Sequence, residues 1–389
     1  MLKKKIPIPT VPPFSFFGIP AACEKTGEKE TVRLQYREDG KFRIMQISDI
    51  QDYFPMKAVT KRVLKKALDT YPVDLIVLTG DNIGSTTRLK FYAALCINEF
   101  MSLFERNGTP VAMVFGNHDD ESTRADKAYQ MSVYEKYKCF IGCAGEDFGE
   151  KNLGTYNLPI YSSADPDKMV SNIWMIDSGN YNHENDLGGY GCVTKKQVAW
   201  FRAVSERLER ENGKKIPSLA FQHIIVPEIW DALVSHDEKV EGSVEHDGKF
   251  YTLPLGVKGV LDETPCPPNY SNGQFDAILD RGDVKAMFFG HDHVNSFEIS
   301  YKGVDLVNTT GVGFRSYNSE NEGVRLITLD ETAPDTYATE LLTYFDLFDR
   351  DDAKAYNLFM SDSGTVEDKE HFGYYMKYLL ACVKGLFAC

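Results

Sequence analysis

The chain has 389 residues, of which 43% are hydrophobic and 26% charged, a composition typical of a globular protein with a sizeable core. Its 43 Lys and Arg residues against 57 Asp and Glu residues give a formal net charge of −14, which argues against nucleic acid as a structural partner. The sequence contains no run of about 20 apolar residues, so no membrane-spanning helix is predicted and a membrane partner is not expected.

Residues 1–30 show no periodic pattern and predict a poorly ordered leader. Lysines at positions 3 to 5 precede an apolar stretch that ends near Cys23, as in a secretion signal with a lipoprotein-type cysteine. Prolines interrupt this stretch and oppose the helix that a signal forms. We therefore expect a cytoplasmic protein, and secretion or lipid anchoring through Cys23 is the alternative.

The first third of the chain repeats one order of elements: an apolar strand, polar residues at its carboxyl end, then a helix. Strands are predicted at 42–47, 75–79 and 111–115, with helices at 56–70 and 86–105. This βαβ order indicates a parallel sheet with helices on its faces. Ligands of such sheets bind beyond the carboxyl ends of the strands, where these polar residues meet.

The rest of the chain follows a less regular pattern. A strand at 31–36 and the turn signal Glu38-Asp39-Gly40 predict a hairpin with the strand at 42–47. Segment 228–275 is predicted to be an insertion or lid within one domain over 31–345, followed by a helical extension over 346–389. The remaining predicted elements are strands at 172–176, 218–222 and 286–289, a helix at 194–210, and an antiparallel set at 297–301, 304–308, 324–329 and 338–342.

The side chains at these strand ends are carboxylates, carboxamides and imidazoles, namely Asp49, Gln51, Asp81, Asn117, His118, His223, His291 and His293. Taken singly, an Asp or Asn at such a place is better explained as a helix N-cap. Together, they would form a buried polar cluster in which like charges repel, and divalent metal ions remove that penalty. Mixed oxygen and nitrogen ligands favour Zn, Mn or Fe over Ca or Mg.

The order of these residues along the chain resembles the calcineurin-like metallophosphoesterase family over residues 42–315. The resemblance is carried by Asp49-Ile-Gln51, Gly80-Asp81-Asn82, Gly116-Asn117-His118-Asp119, His223 and Gly290-His291-Asp292-His293. Asp177-Ser178-Gly179, the run from Cys266 to Gly273, and Val294-Asn295 after the last motif are similar to the branch related to purple acid phosphatases.

The resemblance implies a fold, a cofactor and a ligand set. The fold would be a four-layer α/β/β/α sandwich of two mixed sheets flanked by helices, and the cofactor two divalent ions such as Mn, Zn or Fe. Asp49 and His293 would hold the first ion, Asp81 would bridge both, and Asn117, His223 and His291 would hold the second. Where the family usually has histidine this chain has Gln51, which binds through its oxygen, binds through water, or leaves a position open.

The resemblance also implies a reaction. A hydroxide bridging the two ions would attack phosphorus, and His118 would act as general acid or stabilise the transition state, with Asp119 orienting its imidazole. Alternatively, His118 contacts neither the metal ions nor the substrate directly, and Asp119 only caps a loop. Asn295 and Arg315 are predicted to contact substrate. The alternative is that either residue only forms hydrogen bonds to the backbone of a loop.

We therefore predict hydrolysis of a phosphomonoester, either a phosphorylated small molecule or a phosphoprotein. The alternatives are a phosphodiesterase, a nucleotide or phospholipid pyrophosphatase, and a metal-binding scaffold without catalysis. Segment 228–275 and the loop around Asn180 and Tyr181 are expected to shape the mouth of the site. The sequence does not predict an oligomeric state.

Overall fold

The computed structural model describes residues 32–85, 89–121, 124–146, 148, 152–316, 320–352 and 355–359. The predicted leader lies outside these residues, and so does most of the predicted C-terminal extension. Among the described helices, none is both long and apolar enough to cross a bilayer.

The strands of the described residues are short and mostly buried. They are β1 Leu34–Gln35, β2 Lys41–Ile47, β3 Leu75–Thr79, β4 Val111–Val114, β5 Tyr156–Tyr161, β6 Met169–Met175, β7 Ser218–Phe221, β8 Val234–His236, β9 Val244–His246, β10 Lys249–Thr252, β11 Val284–Phe289, β12 Glu298–Tyr301, β13 Val304–Asn308, β14 Gly323–Asp330 and β15 Tyr337–Thr343.

The described helices include one short 3₁₀-helix, His118–Asp120, directly after β4. The α-helices are α1 Ala58–Thr70, α2 Lys90–Asn107, α3 Lys127–Tyr134, α4 Lys195–Asn212, α5 Ile229–Ala232, α6 Gln274–Arg281 and α7 Tyr344–Leu347.

Two large sheets pack face to face between outer layers of helices, which is the four-layer α/β/β/α sandwich expected. One sheet has the order β15-β14-β2-β3-β4 and the other β1-β5-β6-β7-β11-β13-β12. Side chains alternate along each strand, so Val77 of β3 faces the opposite sheet while Ile76 and Leu78 face α1 and α2. Ala220 of β7 likewise packs with α4 and α6, and Phe221 with the inter-sheet core.

The predicted hairpin between the first two strands is wrong. The turn forms, and Gly40 N donates to Arg37 O at 2.9 Å, but the two strands enter different sheets. β1 pairs in parallel with β5, whereas β2 lies between β14 and β3. The reason is burial. An isolated two-stranded hairpin is only marginally stable, whereas within the sandwich most side chains of β2, on both faces of the strand, are buried.

The four last strands do not form one antiparallel set either. β12 and β13 belong to the seven-stranded sheet, with β13 parallel to β11, and β14 and β15 belong to the five-stranded sheet. The fully buried Arg325 of β14 joins the two sheets, because its guanidinium donates to Glu298 Oε1 at 2.7 Å and to Asn308 O at 3.0 Å.

The parallel order β2-β3-β4 is confirmed, and it brings three strand ends to one edge. Buried Gln46 ties this edge to the other sheet. Its Nε2 donates to Thr79 Oγ1 at 3.0 Å and to Phe289 O at 3.1 Å, and its Oε1 accepts from Thr309 Oγ1 at 2.8 Å. The carboxyl ends of β3 and β11 are therefore held side by side.

Candidate metal centre

Five strand ends from the two sheets supply one cluster of side chains. Asp49 follows β2, Asp81 follows β3, Asn117 follows β4, His223 follows β7, and the pair His291 and His293 follows β11. Asp49, Asp81, Asn117 and His223 have no exposed surface, and His293 is 6% exposed. The structure thus brings together every metal-ligand candidate of the sequence.

Asp81 lies at the centre of the cluster. Its Oδ2 lies 3.2 Å from His223 Nε2 and 4.0 Å from His118 Nε2, and its Oδ1 accepts the backbone N–H of His118 at 2.8 Å. One ligand atom from each of Asp81, His223 and His291 lies within 4.8 Å of the others. The same holds for Asp49, Asp81 and His293, so Asp81 is shared by two three-residue groups.

The donor chemistry of His223 fits a cation between these groups. Its Nδ1 lies 2.8 Å from Thr79 O, which is an acceptor only, so Nδ1 carries a proton. In the neutral imidazole, Nε2 then presents a lone pair to Asn117 Oδ1 at 3.1 Å and to Asp81 Oδ2 at 3.2 Å. Three acceptors facing one another need either a proton or a metal ion between them.

Buried polar atoms without a hydrogen-bond partner also indicate a metal site. Among the described residues, Asp49 Oδ1 and His291 Nε2 are buried and have no hydrogen-bond partner. Buried polar atoms of native proteins rarely lack a partner, and ligand atoms for a metal are one explanation of the exceptions. The residues present therefore fit two metal ions held by carboxylate, carboxamide and imidazole ligands.

The backbone of the cluster adopts a strained conformation. Asp49, Gln51, Asp81 and His291 have positive φ angles of 51°, 37°, 47° and 72°, a region that residues other than glycine seldom occupy. Such strain costs on the order of 1–3 kcal/mol per residue and collects at functional sites. The surrounding fold holds these four residues in place against that cost.

Two glycines of the motifs are required by close approach. A Cβ on Gly116 would lie 2.2 Å from Asp81 Oδ1, and a Cβ on Gly290 would lie 1.8 Å from Ser48 Oγ and 2.5 Å from Asp49 Oδ2. Side chains at these positions would displace the two carboxylates. The glycines therefore shape the site without supplying a ligand.

The charges of the cluster shift its titration. Burial would raise the pKa of Asp81, but the imidazoles of His223, His118 and His291 hold that pKa below its ordinary value. Burial opposes protonation of His223, yet Asp81 and Asp49 raise its pKa to about 10. Burial and the charge of His223 lower the pKa of His291 well below its ordinary value, so His291 is neutral and available as a ligand.

These shifts predict a pH-dependent stability of the protein without metal. Since the pKa of His223 is raised from 6.5 to about 10 in the folded state, its contribution is fully present below pH 6.5 and is lost as the pH rises towards 10. We expect urea unfolding of the metal-free protein between pH 6.5 and 9 to show a decline of at most about 1.4 kcal/mol per pH unit. In His223→Gln this decline should disappear, and in the exposed control His183→Gln it should persist. Equal slopes in all three proteins would contradict the assignment.

Gln51 lies inside the cluster, at the position where the family usually has histidine. Its Nε2 donates to Asp81 Oδ2 at 2.9 Å, and its Oε1 accepts from Ser316 Oγ. The two ends of a carboxamide are assigned from their hydrogen bonds. With the amide reversed, Oε1 would face Asp81, as a metal ligand must, and Nε2 would donate to Ser316, so direct ligation by Gln51 stays a prediction.

Asp119 does not orient the His118 imidazole. Its buried carboxylate accepts the backbone N–H groups of Gly116 at 2.9 Å and of Asn82 and Ile83 at 3.1 Å, so it caps the loops after β3 and β4. This is the alternative role considered for it. Burial and then the charge of Asp81 raise the pKa of Asp119 to about 7.

Both residues predicted to contact substrate form hydrogen bonds within the protein. Asn295 is fully buried, accepts from the backbone N–H groups of Asp262 and Glu263 at 2.9 and 3.1 Å, and donates to Glu263 O at 3.0 Å. Asn295 therefore satisfies backbone groups of the loop before α6 and does not face a substrate. Arg315 donates from Nε to Asp52 Oδ1 at 2.6 Å, and its guanidinium lies 5.2 Å from the centre of the Tyr53 ring. Its contact with substrate stays a prediction.

The sequence placed Tyr181 at the mouth of the site but did not single out its aromatic partner Tyr190, with which it forms an aromatic wall. The rings of Tyr181 and Tyr190 stack with centroids 5.6 Å apart, and Tyr190 meets the ring of His291 edge-on at 4.4 Å. Tyr181 Oη donates to Glu121 Oε1 at 2.7 Å, and the same oxygen lies 2.9 Å from His118 Nδ1. The spacing of three residues between His118 and Glu121 was the available signal, whereas no local pattern singles out Tyr190.

The two overlapping ligand groups at the edge of the sandwich are of the kind that holds a dinuclear metal centre. The sequence profile of the calcineurin-like phosphoesterase family matches residues 42–295. The chain belongs to this calcineurin-like phosphoesterase family, whose members use a dinuclear metal centre.

Individual relatives agree with this assignment. The chain is 28% identical over 335 residues to "Probable inactive purple acid phosphatase 29" of Arabidopsis thaliana, covering 78% of this chain and 80% of that protein. It is 28% identical over 287 residues to "Phosphatase DCR2" of Saccharomyces cerevisiae, covering 68% of this chain and 46% of that protein. A dimetal phosphatase from Danio rerio shares the fold, with a TM-score of 0.50, 13% identity, and coverage of 77% of this chain and 98% of that structure.

Proposed function

We propose that this protein hydrolyses phosphomonoesters with the help of two divalent metal ions. The observation that carries the proposal is the convergence of Asp49, Asp81, His223, His291 and His293 on two ligand groups that share Asp81. His118 stands beside this centre with Nε2 4.0 Å from Asp81 Oδ2 and with 35% of its side chain exposed. A histidine so placed reaches a bound ester from the solvent side.

Each part of the site has a role in this proposal. Two metal ions would supply positive charge for the phosphoryl oxygens and lower the pKa of a water nucleophile. His118 would donate the proton on Nε2 to the oxygen that leaves phosphorus. The wall of Tyr181 and Tyr190 would border the leaving group, because Tyr181 shares Glu121 with His118.

The class of ester is supported by the names of relatives. The yeast relative is called a phosphatase, and the plant relatives are called probable inactive purple acid phosphatases, a name that keeps the phosphatase family while denying its activity. The carboxylates of the centre would repel an anionic ester, and bound metal ions would reverse that field. Zn, Mn or Fe suits the mixture of oxygen and nitrogen ligands.

A scaffold without catalysis is the second candidate. The plant relatives are named "probable inactive", and Gln51 is a weaker ligand than the histidine usual at its position. A centre that keeps its ligands while turning over no substrate would fit both facts. His118, poised beside the cluster, favours the catalytic candidate.

Metal content and turnover measured together decide between the candidates. We expect the purified full chain, supplied with Mn or Zn, to contain close to two ions by elemental analysis and to hydrolyse phenyl phosphate faster than diphenyl phosphate. His183→Gln, a change of an exposed histidine outside the cluster, should match the unsubstituted protein. Two bound ions with no turnover of either ester would establish the scaffold. Faster hydrolysis of the diester would make the protein a phosphodiesterase, and failure to bind metal would refute both candidates.

A further inference from the structure

The imidazole of His118 has a carboxylate partner that the family motif does not include. His118 Nδ1 lies 2.9 Å from Glu121 Oε1, while its Nε2 faces Asp81 on the other side of the ring. Asp119 is unavailable for this contact, because its oxygens are used by the backbone N–H groups of Gly116, Asn82 and Ile83. Glu121 therefore occupies the place that the sequence suggested for Asp119.

Tyr181 holds the Glu121 carboxylate from the opposite side. Its Oη donates to Glu121 Oε1 at 2.7 Å, the same oxygen that meets His118 Nδ1. Burial, and then the bond to Glu121, raises the pKa of Tyr181 to about 12, so the hydroxyl stays protonated and remains a donor near neutral pH. Two donors on one oxygen restrict the rotamer of the glutamate, whose side chain is 26% exposed.

The loop that carries Tyr181 is itself fixed to the core. Asp177 and Lys127 form a buried ion pair at 2.8 Å, and Asp177 Oδ1 accepts the backbone N–H of Gly179 at 3.0 Å. Asn180 Nδ2 donates to Asp120 Oδ2 at 2.7 Å, which ties the loop to the 3₁₀-helix of His118. The position of the His118 ring thus depends on a second loop and a buried ion pair behind it.

We infer that Glu121 is a positioning residue that holds the His118 ring, through Nδ1, with Nε2 directed at the leaving oxygen of the substrate. The inference rests on the proposed phosphoester hydrolysis. As the bond from phosphorus to the leaving oxygen breaks, that oxygen takes the proton of Nε2, while a water molecule adds its oxygen and one hydrogen to phosphorus. The other proton of that water passes to solvent, from which Nε2 is protonated again. The proton on Nδ1 stays in the hydrogen bond to Glu121 throughout.

The inference is tested with two esters of similar shape and different need for a proton. Phenyl phosphate releases a basic phenolate that requires a general acid, whereas 4-nitrophenyl phosphate releases a stable anion that does not. We expect Glu121→Ala to lower kcat for phenyl phosphate by about 10- to 10²-fold, within the range that general acid catalysis supplies. For 4-nitrophenyl phosphate kcat should change less than about threefold, with KM for both esters and metal content unchanged.

Matched variants separate positioning from charge and from folding. Glu121→Gln keeps an acceptor oxygen for Nδ1, so it should recover most of the activity on phenyl phosphate. Glu206→Gln alters an exposed carboxylate of α4, outside the loops of the site, and should behave as the unsubstituted protein. An equal loss on both esters in Glu121→Ala, or no loss on either, would overturn the inference.

If neither ester is hydrolysed, the proposed function is refuted. NMR spectroscopy of ¹⁵N-histidine-labelled protein still tests in that case whether Glu121 holds the His118 ring. The His118 signals, identified by their absence in His118→Ala, should show a protonated Nδ1 in the unsubstituted protein. In Glu121→Ala the neutral ring should shift towards the Nε2–H form. An unchanged tautomer in that variant would show that Glu121 does not hold the ring.

Discussion

His118→Ala is expected to lower the turnover of phenyl phosphate by about 10²- to 10⁴-fold, which is the usual contribution of general acid–base catalysis. The loss should fall on kcat, because the proton is needed as the bond to the leaving oxygen breaks and not for substrate binding. His118 is no member of either ligand group, so elemental analysis should still find close to two metal ions. Its imidazole has 35% of its surface exposed, and truncation should leave the fold intact.

The exposed His183 provides a control for the loss of an imidazole, and His183→Ala should retain full turnover. If His118→Ala turned over phenyl phosphate at the unsubstituted rate, the assigned role of His118 would be wrong. A variant that lost metal together with activity would instead place His118 among the residues that support the centre.

The second large effect is expected for Asp81→Asn. The substitution keeps the shape of the side chain and removes the carboxylate charge that both ligand groups share. Without that charge, His223 and His291 face a neutral amide, and both ions should bind far more weakly. Because metal ions contribute several kcal/mol to catalysis, and about 1.4 kcal/mol corresponds to a tenfold change, we expect turnover to fall by at least about 10³-fold.

Metal titration followed by calorimetry would measure the affinity loss directly. Asp283→Asn is the matched control, since Asp283 is a buried aspartate that accepts from Ser205 away from the centre, and this variant should keep its metal. Asp81→Asn with two tightly bound ions and full turnover would contradict the bridging role.

Much of the fold could be predicted from local patterns. The bounds of β3 and β13 agree with the apolar runs in the sequence, and the parallel order β2-β3-β4 follows from strands joined by helices. The errors concern strand partners. β1, predicted to pair with β2, pairs instead with β5, about 125 residues later in the chain, and no local pattern specifies such a partner.

For the candidate site, too, the sequence predicts the residues but not their contacts. Carboxylates, carboxamides and imidazoles at strand ends could be read along the chain, since parallel strands deliver their ends to one edge. The direction in which each side chain points could not be predicted from the sequence. Asp119 lies in the short 3₁₀-helix and Glu121 directly follows it, yet the first caps the backbone of two loops and the second meets His118.

By itself, the sequence determined most strands of the two large sheets, although not β5 or the short strands β8 to β10, together with the polar residues at strand ends and the set of ligand types. These depend on hydrophobic periodicity and on residue chemistry. The tertiary structure alone decided which sheet each strand joins, that Glu121 and not Asp119 meets His118, and that Asn295 supports a loop. The physical reason is that such choices depend on burial and on hydrogen bonds between segments far apart in the chain. Their geometry exists only once both sheets have packed.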